Sequence, residues 1–300
     1  MKERRIPTNV KWTVQGWLLM LPSLVFLLGF TVYPVIKTLI QSFYKVSNNT
    51  KVASQFVGVK NYMQVFKDPV FFIVIRNTLK FSLFVIPLSL VIGFLLATLA
   101  SKNIRGIGVA RALIFYPNVA PVVGFATIWT FLFTPNIGVI SQVMKALSLK
   151  PVDFLNNPRT ALYAIMAVYI WREASYMMIF YISGLQNISR EYYEAAYLDG
   201  ATRWDVMRRI TIPLVQPTTL FVLTITMADA FKMVDLIMVM TTKGGPNNST
   251  NLLMNHIYQT AFSYWDTGQA SVLTICMLGF MMVVALVQFT TMDKRAYYEN

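Results

Sequence analysis

The fold of this chain is decided by residues 188–213, ISREYYEAAYLDGATRWDVMRRITIP, the longest polar, helix-forming stretch among otherwise apolar runs. Ser189 is a natural N-cap for a first helix. Glu191 and Glu194 place negative charge near the positive end of that helix's dipole. We name residues 188–213 the signature loop, and its first half predicts a short capped helix outside the bilayer.

The second half of the signature loop predicts another short helix after a sharp turn. Gly200 is free to adopt the positive φ at which the first helix ends. Thr202 followed by Asp205 has the spacing of a capping box, with aspartate in the usual place of glutamate. Pro213 is expected to end the second helix. A helix, a turn and a helix between two apolar runs indicate a surface on which another protein can dock.

Composition places the chain in a membrane. It has 300 residues, of which 56% are hydrophobic and 13% charged, and its mean hydropathy is +0.53. Soluble domains carry about 25% charged residues. The 26 basic and 13 acidic residues could indicate nucleic acid binding, but the basic ones are scattered through short loops. Cys276 and His256 are each the only residue of their kind, so the sequence predicts neither a disulfide nor a metal cluster.

Apolar runs predict an all-α membrane protein with six transmembrane helices in a single domain over 1–300. Residues 1–11 are basic, as is typical of a cytoplasmic end, and the pair Lys294-Arg295 follows the last run. An even number of spans puts both termini on the same side, and a modest charge bias favours the cytoplasm for them. The predicted spans are 12–43, 77–99, 110–133, 161–183, 218–240 and 268–290.

The signature loop also carries a family resemblance. Glu194-Ala195-Ala196, Gly200, Ile210 and Pro213 stand at the spacing of the EAA signature of permease subunits in binding-protein-dependent ABC importers. The one departure is Ile212, where that pattern usually has leucine, and the exchange of one apolar residue for another changes little. The resemblance implies that this loop couples the permease to an ATPase. With residues 188–213 inside, as the resemblance implies, residues 44–76, 134–160 and 241–267 are expected outside.

Two further motifs are similar to those of the carbohydrate-uptake class of these importers, the class of maltose and glycerol 3-phosphate permeases. One is the stretch from Phe56 to Tyr62, with Gly58 and Asn61, after the first span. The other is the Gly-Gly-Pro turn at 244–246 after the fifth. The resemblance covers about residues 12–290 and implies one permease subunit of a sugar importer.

The resemblance implies several partners for the chain. The sequence contains no Gly-x-x-x-x-Gly-Lys-Ser/Thr phosphate loop, so ATP and Mg²⁺ would be held by a separate ATPase. We expect two ATPase subunits, a second permease that is a different chain, and an extracytoplasmic solute-binding protein. The chain itself is expected to hold no cofactor, to be no enzyme, and to lie in the bacterial inner membrane.

Charged residues inside predicted spans mark a candidate substrate path. Asp229, Lys232 and Asp235 recur every three residues, which would place them on one helical face. A charge at a helix centre costs about 2.5–3.5 kcal/mol on insertion scales, so it usually faces water or a partner. The face could line the substrate path, or Lys232 could form a structural salt bridge with either aspartate.

The fourth predicted span adds Trp171, Arg172, Glu173 and Tyr176 to this path. Carboxylates and amides commonly hold sugar hydroxyls, and aromatic faces cover the apolar C–H faces of sugars. Arg172 and Glu173 could instead pair with each other structurally.

Three alternatives to a sugar permease remain open from the residues. A permease for glycerol 3-phosphate or another polyol phosphate is kept open by Lys80 and Arg172, although the 229–235 face nets one negative charge. An ion-coupled secondary transporter would use Asp229 or Asp235, but the sequence has no visible inverted repeat. A membrane enzyme would need a catalytic cluster that Cys276 and His256 do not supply.

Overall fold

The computed structural model describes residues 10–46, 53–102 and 104–292, and these residues are mainly helical. The predicted cytoplasmic start at 1–11 lies outside the described residues except for its last two positions, and Lys294-Arg295 lies outside them. The elements in chain order are α1 Val10–Leu27, a π-helical turn Leu28–Val32, α2 Tyr33–Gln41, β1 Tyr44–Lys45, β2 Gln55–Phe56, α3 Lys60–Lys67, α4 Pro69–Ala100, α5 Ile107–Val119, α6 Val122–Phe133, α7 Val139–Ala146, α8 Ala161–Gln186, α9 Arg190–Leu198, α10 Arg203–Val206, a π-helical turn Met207–Thr211, α11 Ile212–Leu214, α12 Gln216–Lys232, α13 Asp235–Met240, a 3₁₀ turn Pro246–Asn248, α14 Leu253–Tyr258, a π-helical turn Gln259–Ser263 and α15 Thr267–Met292.

These elements form two compact units, where the sequence predicted one domain. The first consists of Met1–Phe66 and Thr260–Cys276, and the second of Lys67–Gln259 and Met277–Asn300.

In the first unit, the Phe56–Tyr62 motif has a structural role. Tyr44–Lys45 and Gln55–Phe56 pair as a short antiparallel hairpin. The buried Asn61 side chain donates from Nδ2 to the carbonyls of Ser42 and Tyr44, both at 2.9 Å. The Tyr62 hydroxyl lies 2.8 Å from Ser42 Oγ. The motif therefore fixes the start of α3 against the end of α2.

The core of the second unit is built on α8, which packs most extensively against α4. At one end Phe81, Phe125, Ile165 and Leu236 are buried together, and at the other Met177 and Tyr181 pack with residues of α4 and α12. Gly93 of α4 permits the close approach, because a Cβ there would lie 2.8 Å from the Cβ of Met177. Small residues commonly allow such close contacts between membrane helices.

The predicted span at 110–133 is not one helix. Helices α5 and α6 are bent by 98° where they meet. Pro121 disfavours helical geometry at Ala120, whose φ of −70° and ψ of 140° are extended. The uniformly apolar composition concealed this break in the sequence, where Pro121 was the only residue that indicated it.

The predicted continuous helix at 218–240 is also wrong. It breaks at Met233 and Val234, where Met233 is extended with φ −65° and ψ 118°. Lys232 is the last residue of α12 and Asp235 the first of α13. A cation at a helix C-terminus and an anion at an N-terminus both stabilise the helix dipoles, so these charges favour two helices. The three charged residues consequently do not share one continuous helical face.

Three helices in the described part of the chain are long and apolar enough to cross a membrane. They are Thr13–Gln41, Pro69–Ala100 and Thr267–Gln288, and the bent pair α5 and α6 would make a fourth if it is a single span. Helix α8 has 26 residues but includes Arg172 and Glu173, and α12 has only 17. The number of six spans stays a prediction.

The Gly-Gly-Pro turn lies within a polar segment, residues 242–248, in which most residues have positive φ. The residues with positive φ are Thr242, Lys243, Gly244, Gly245, Asn247 and Asn248. Asn77 of α4 holds the segment by donating from Nδ2 to the carbonyls of Asn248, at 2.8 Å, and Asn251, at 3.2 Å.

Candidate functional site

The signature loop has the predicted helix–turn–helix structure. Ser189 Oγ accepts a hydrogen bond from the Glu191 amide at 3.3 Å, which caps α9. Gly200 has a φ of +79° and ends the first helix. Thr202 and Asp205 form both hydrogen bonds of a capping box at the start of α10. These local predictions are confirmed.

The prediction that Pro213 ends the second helix is wrong. From Arg203 the chain continues through a π-helical turn at Met207–Thr211 and α11, where Pro213 occupies a first-turn position. The π-helical turn directly before Pro213 already departs from the regular helical hydrogen-bond pattern, so the missing proline N–H is accommodated there and the helical backbone continues past it. The signature loop therefore leads almost directly into α12.

The signature loop presents apolar side chains to its surroundings. Leu198 is 89% exposed, Trp204 70% and Tyr197 52%. Glu194, Ala195 and Gly200 are exposed as well, while Ala196, Ile210 and Pro213 are half-buried. Clustered exposed apolar residues with polar neighbours are typical of protein interfaces. The sequence pattern had located the loop, but not which of its side chains are uncovered.

The aspartate of the capping box, Asp205, has a lowered pKa. Hydrogen bonds from the Thr202 hydroxyl and amide to its carboxylate lower the pKa of Asp205, with a smaller effect of Arg209. The box therefore remains charged and intact at neutral pH. Arg209 Nη2 lies 3.9 Å from Asp205 Oδ1, in a pair open to solvent.

A cavity of about 440 Å³ brings together six of the seven residues that the sequence assigned to the substrate path. Helix α8 contributes Arg172, Glu173 and Tyr176, and the region of the break between α12 and α13 contributes Asp229, Lys232 and Asp235. Non-helical backbone at membrane depth is tolerated where it lines a cavity. The break thus brings Asp235 to the same cavity as Asp229, although the two residues lie on different helices.

Polar atoms around this cavity have no hydrogen-bond partner among the described residues. They are the Tyr169 hydroxyl, Arg172 Nε and Glu173 Oε1, all buried. Glu173 is only 7% exposed, and no basic nitrogen among the described residues lies within 4.0 Å of its carboxylate. A buried carboxylate without a partner is costly, so such groups usually serve binding or catalysis.

The proposed structural salt bridges are not formed within the described chain. No carboxylate oxygen described here lies within 4.0 Å of Lys232 or Arg172. Asp229, Lys232 and Asp235 are exposed, which agrees with residues that face a cavity.

Trp171 lies away from the other six residues. Its ring stacks on Phe125 at 5.8 Å and meets Trp129 edge-on at 5.3 Å. The side chain is 49% exposed and does not line the cavity. The adjacent residue Arg172 points to the cavity because successive helical positions are turned by about 100°.

Two polar residues of the cavity, Tyr169 and Asn118, were not predicted from the sequence. Tyr169 packs its ring edge-on against Phe81 at 5.3 Å and leaves its hydroxyl at the cavity. Asn118 lies at the end of α5 and donates from Nδ2 to the Arg172 carbonyl at 3.0 Å and to Ser175 Oγ at 2.8 Å. Asn118 thus attaches the bend between α5 and α6 to α8. Its position three residues before Pro121 was the only signal for this role in the sequence, and the surrounding apolar run concealed it.

Comparison with known proteins identifies the family. The sequence profile of "Binding-protein-dependent transport system inner membrane component" matches residues 89–295. The chain is 31% identical over 290 residues to the sulfoquinovosyl glycerol transport system permease protein SmoG of Agrobacterium fabrum, covering 95% of this chain and 94% of SmoG. It is 30% identical to the trehalose/maltose transport system permease protein MalF of Thermococcus litoralis, covering 90% of each chain.

A solved structure has the same fold. A chain of the bacterial alginate ABC transporter, in complex with alginate pentasaccharide-bound periplasmic protein, aligns with a TM-score of 0.84 at 20% identity, covering 99% of this chain and 100% of that one. This chain therefore belongs to the family of inner-membrane permease components of binding-protein-dependent ABC transport systems, as the signature loop indicated.

Proposed function

We propose that this chain is one transmembrane subunit of an ATP-driven importer and that it moves a sugar through the cavity beside Glu173. The proposal depends on one observation: buried polar atoms of Tyr169, Arg172 and Glu173 have no hydrogen-bond partner among the described residues. A hydroxyl-rich ligand can donate to the carboxylate and accept from the guanidinium. Two relatives are named as transporters of sulfoquinovosyl glycerol and of trehalose and maltose, and this supports a carbohydrate substrate.

The shape of the cavity suits a small carbohydrate. A volume of about 440 Å³ lies in the range of small-molecule sites, which is roughly 300–1,000 Å³. Tyr169, Tyr176 and Phe115 supply aromatic rings among the lining residues. Such rings cover the apolar C–H faces of a sugar while the charged groups hold its hydroxyls.

A phosphorylated polyol such as glycerol 3-phosphate is the second candidate, because Arg172 and Lys232 both line the cavity. Three carboxylates, those of Glu173, Asp229 and Asp235, line it as well. The basic groups of the cavity are therefore not in excess over its carboxylates, which favours a neutral substrate over an anionic one.

The signature loop is proposed as the docking site for an ATPase. Its capped helices hold a fixed shape, and its exposed Leu198 and Tyr197 offer apolar contact area. A rigid loop transmits the motion of a partner, whereas a flexible one absorbs it. The complete importer would contain a second, different permease, two ATPase subunits that hold ATP and Mg²⁺, and an extracytoplasmic solute-binding protein. This chain would hold no cofactor.

The orientation follows from this docking role. If the ATPases are cytoplasmic, the signature loop and both termini lie inside. A cysteine placed at position 203 in a Cys276→Ser background should react with a thiol reagent only after the membrane is opened. Labelling of intact cells would reverse the orientation.

The substrate class can be tested without choosing a sugar beforehand. The chain is expressed with the permease, ATPase and solute-binding protein encoded beside it, and the ligand that co-purifies with the binding protein is identified by mass spectrometry. ATP-dependent uptake of that ligand is then measured in proteoliposomes. We expect a neutral carbohydrate. A phosphorylated polyol would support the second candidate, and ATP-independent uptake would contradict the importer role.

A further inference from the structure

A second polar pocket lies at the base of the signature loop, apart from the cavity beside Glu173. It has a volume of about 650 Å³ and is bounded by the end of α4, the start of α5, the end of α8 and the start of α9. Its polar lining consists of Ser101, Lys102, Arg111, Gln186, Arg190 and Tyr193. Neither the family signature nor the sugar path accounts for this pocket.

The charged side chains of this pocket are all basic. Lys102, Arg111 and Arg190 line it, and no carboxylate does. Among the described residues no carboxylate oxygen lies within 4.0 Å of any of the three. The pocket therefore concentrates positive charge without an internal counter-ion, which favours an anionic ligand.

Arg111 is held in place for such a ligand. Its Nε and Nη2 donate to the Ala100 carbonyl at 2.9 and 2.7 Å. This carbonyl is at the end of α4, where helical carbonyls lack helical partners. Two of the five guanidinium N–H groups are used in this way, and the others remain for a ligand.

Helix α9 presents its N-terminus to the pocket, although Glu191 in its first turn offsets part of the positive charge of the helix dipole. Its nine residues begin at Arg190, so the positive end of its dipole lies beside the pocket. The hydroxyls of Ser101 and Tyr193 supply neutral donors. Basic groups together with hydroxyl donors match the oxygens of a phosphate.

We propose that this pocket binds a phosphate group, supplied by the headgroup of an anionic phospholipid or as free phosphate. This proposal depends on the proposed function in one respect: the docking of a cytoplasmic ATPase on the signature loop is what places the pocket on the cytoplasmic side. The cytoplasmic leaflet is anionic, and basic pockets between membrane helices on that side commonly bind lipid headgroups. The pocket stands where the apolar helices α4 and α8 end, the level at which headgroups lie.

Such a ligand would connect the membrane helices to the signature loop. The Tyr193 hydroxyl lies 3.5 Å from Thr211 Oγ1, so Tyr193 contacts both the pocket and the end of the loop. A phosphate held by Lys102 and Arg190 joins the end of α4 to the start of α9. Its occupancy would hold the docking surface at a fixed position relative to the spans.

The experiment uses the complete importer complex, freed of native lipid in detergent. In one arm, phosphatidylglycerol or phosphatidylcholine is added and the bound lipids are counted by native mass spectrometry. In a second arm, inorganic phosphate is added and the thermal stability of the complex is measured. The variants are Lys102→Gln and Arg190→Gln. The matched control is Arg105→Gln, which removes one charge from the same loop as Lys102; both side chains are exposed, but Arg105 does not line the pocket.

We expect Lys102→Gln and Arg190→Gln each to weaken retention of the anionic ligand about tenfold, and Arg105→Gln to leave it unchanged. Preference for phosphatidylglycerol identifies a lipid headgroup, and stabilisation by inorganic phosphate alone identifies the free ion. Equal losses in all three variants would mean general electrostatic attraction and would overturn the proposal. So would the absence of any preference for either phosphate source.

Binding is measured without ATP or substrate, so this outcome is independent of the sugar proposal. Lys102 lies outside the signature loop, and its variant therefore separates anion binding from docking of the ATPase.

Discussion

The signature loop and the cavity beside Glu173 differ in how far the hydrogen bonds of their polar groups are satisfied. In the loop, Ser189 and Thr202 satisfy helix amides within three residues, and the exposed groups are apolar side chains such as Leu198. In the cavity, the Tyr169 hydroxyl and Glu173 Oε1 are buried and have no partner among the described residues.

This difference agrees with the two roles proposed for these regions, docking of a partner and binding of a transported ligand. A surface that a partner grips benefits from a fixed backbone, and local capping provides that rigidity. A transport site must leave hydrogen-bonding groups available for its ligand, although each one costs stability while it is unpaired. The caps of the loop are therefore satisfied locally, whereas the Tyr169 hydroxyl and Glu173 Oε1 find no partner among the described residues.

The largest expected effect is at the turn of the signature loop. Gly200→Val should abolish ATP-driven uptake, because a β-branched residue does not readily adopt the φ of +79° found there. Nothing lies within 4 Å of a Cβ at this position, so the effect would come from the backbone alone. Gly200→Asn is the control and should retain most uptake, since asparagine tolerates this conformation.

Uptake in proteoliposomes and retention of the ATPase on an affinity column measure this effect. Normal uptake by the valine variant would show that the shape of the loop is not needed for coupling.

The next effect concerns the unpartnered carboxylate. Glu173→Gln should lower uptake about tenfold or more, because hydrogen bonds to charged groups contribute roughly 1.5–3 kcal/mol. The amount of complex in the membrane should not fall, since the amide removes a buried charge. The control is Asp153→Asn, which neutralises a carboxylate outside both the cavity and the signature loop and should transport normally. Unchanged uptake by Glu173→Gln would remove the cavity from the substrate path.

A smaller effect is expected at the helix break. Asp235→Asn and Lys232→Gln should each lower uptake a few-fold, and the double variant should not transport better than either single variant. No rescue is expected because the two charges are not paired within 4.0 Å, so removing one does not leave the other without a partner. Rescue of protein level and transport by the double change would instead establish a salt bridge in the assembled complex.

The smallest effect is expected at the cap of α10. Thr202→Ala should cost about 1 kcal/mol of local stability and speed amide hydrogen exchange in α10, with little change in uptake.

The same cap should depend on pH. Because the pKa of Asp205 is lowered, its carboxylate contributes fully to the stability of α10 at neutral pH, and this contribution is lost as the pH falls through the lowered pKa. Arg209→Gln is the control, since its side chain is 79% exposed and surface pairs contribute little. A large loss of uptake in Thr202→Ala would show that this cap, like Gly200, is essential for coupling.

The sequence alone determined the helical class, the family and the local form of the signature loop. Apolar runs and composition predicted helices in a membrane, and the spacing from Glu194 to Pro213 indicated the permease family. Ser189, Gly200 and the Thr202–Asp205 pair predicted the caps and the turn. These features depend on residues within a few positions of one another, so they are readable from the chain.

Only the tertiary structure decided where the helices break and which polar groups meet. Asn118 and Arg172 are 54 positions apart, and Phe81 and Tyr169 come from different helices, yet both pairs shape one cavity. Trp171 was assigned to the same site by its neighbours in sequence, but packing turned it toward Phe125. Hydrophobic burial is not directional, so an apolar run specifies that a helix is covered without specifying by which residues. The partners of the polar groups in such a run are therefore set by packing between distant segments.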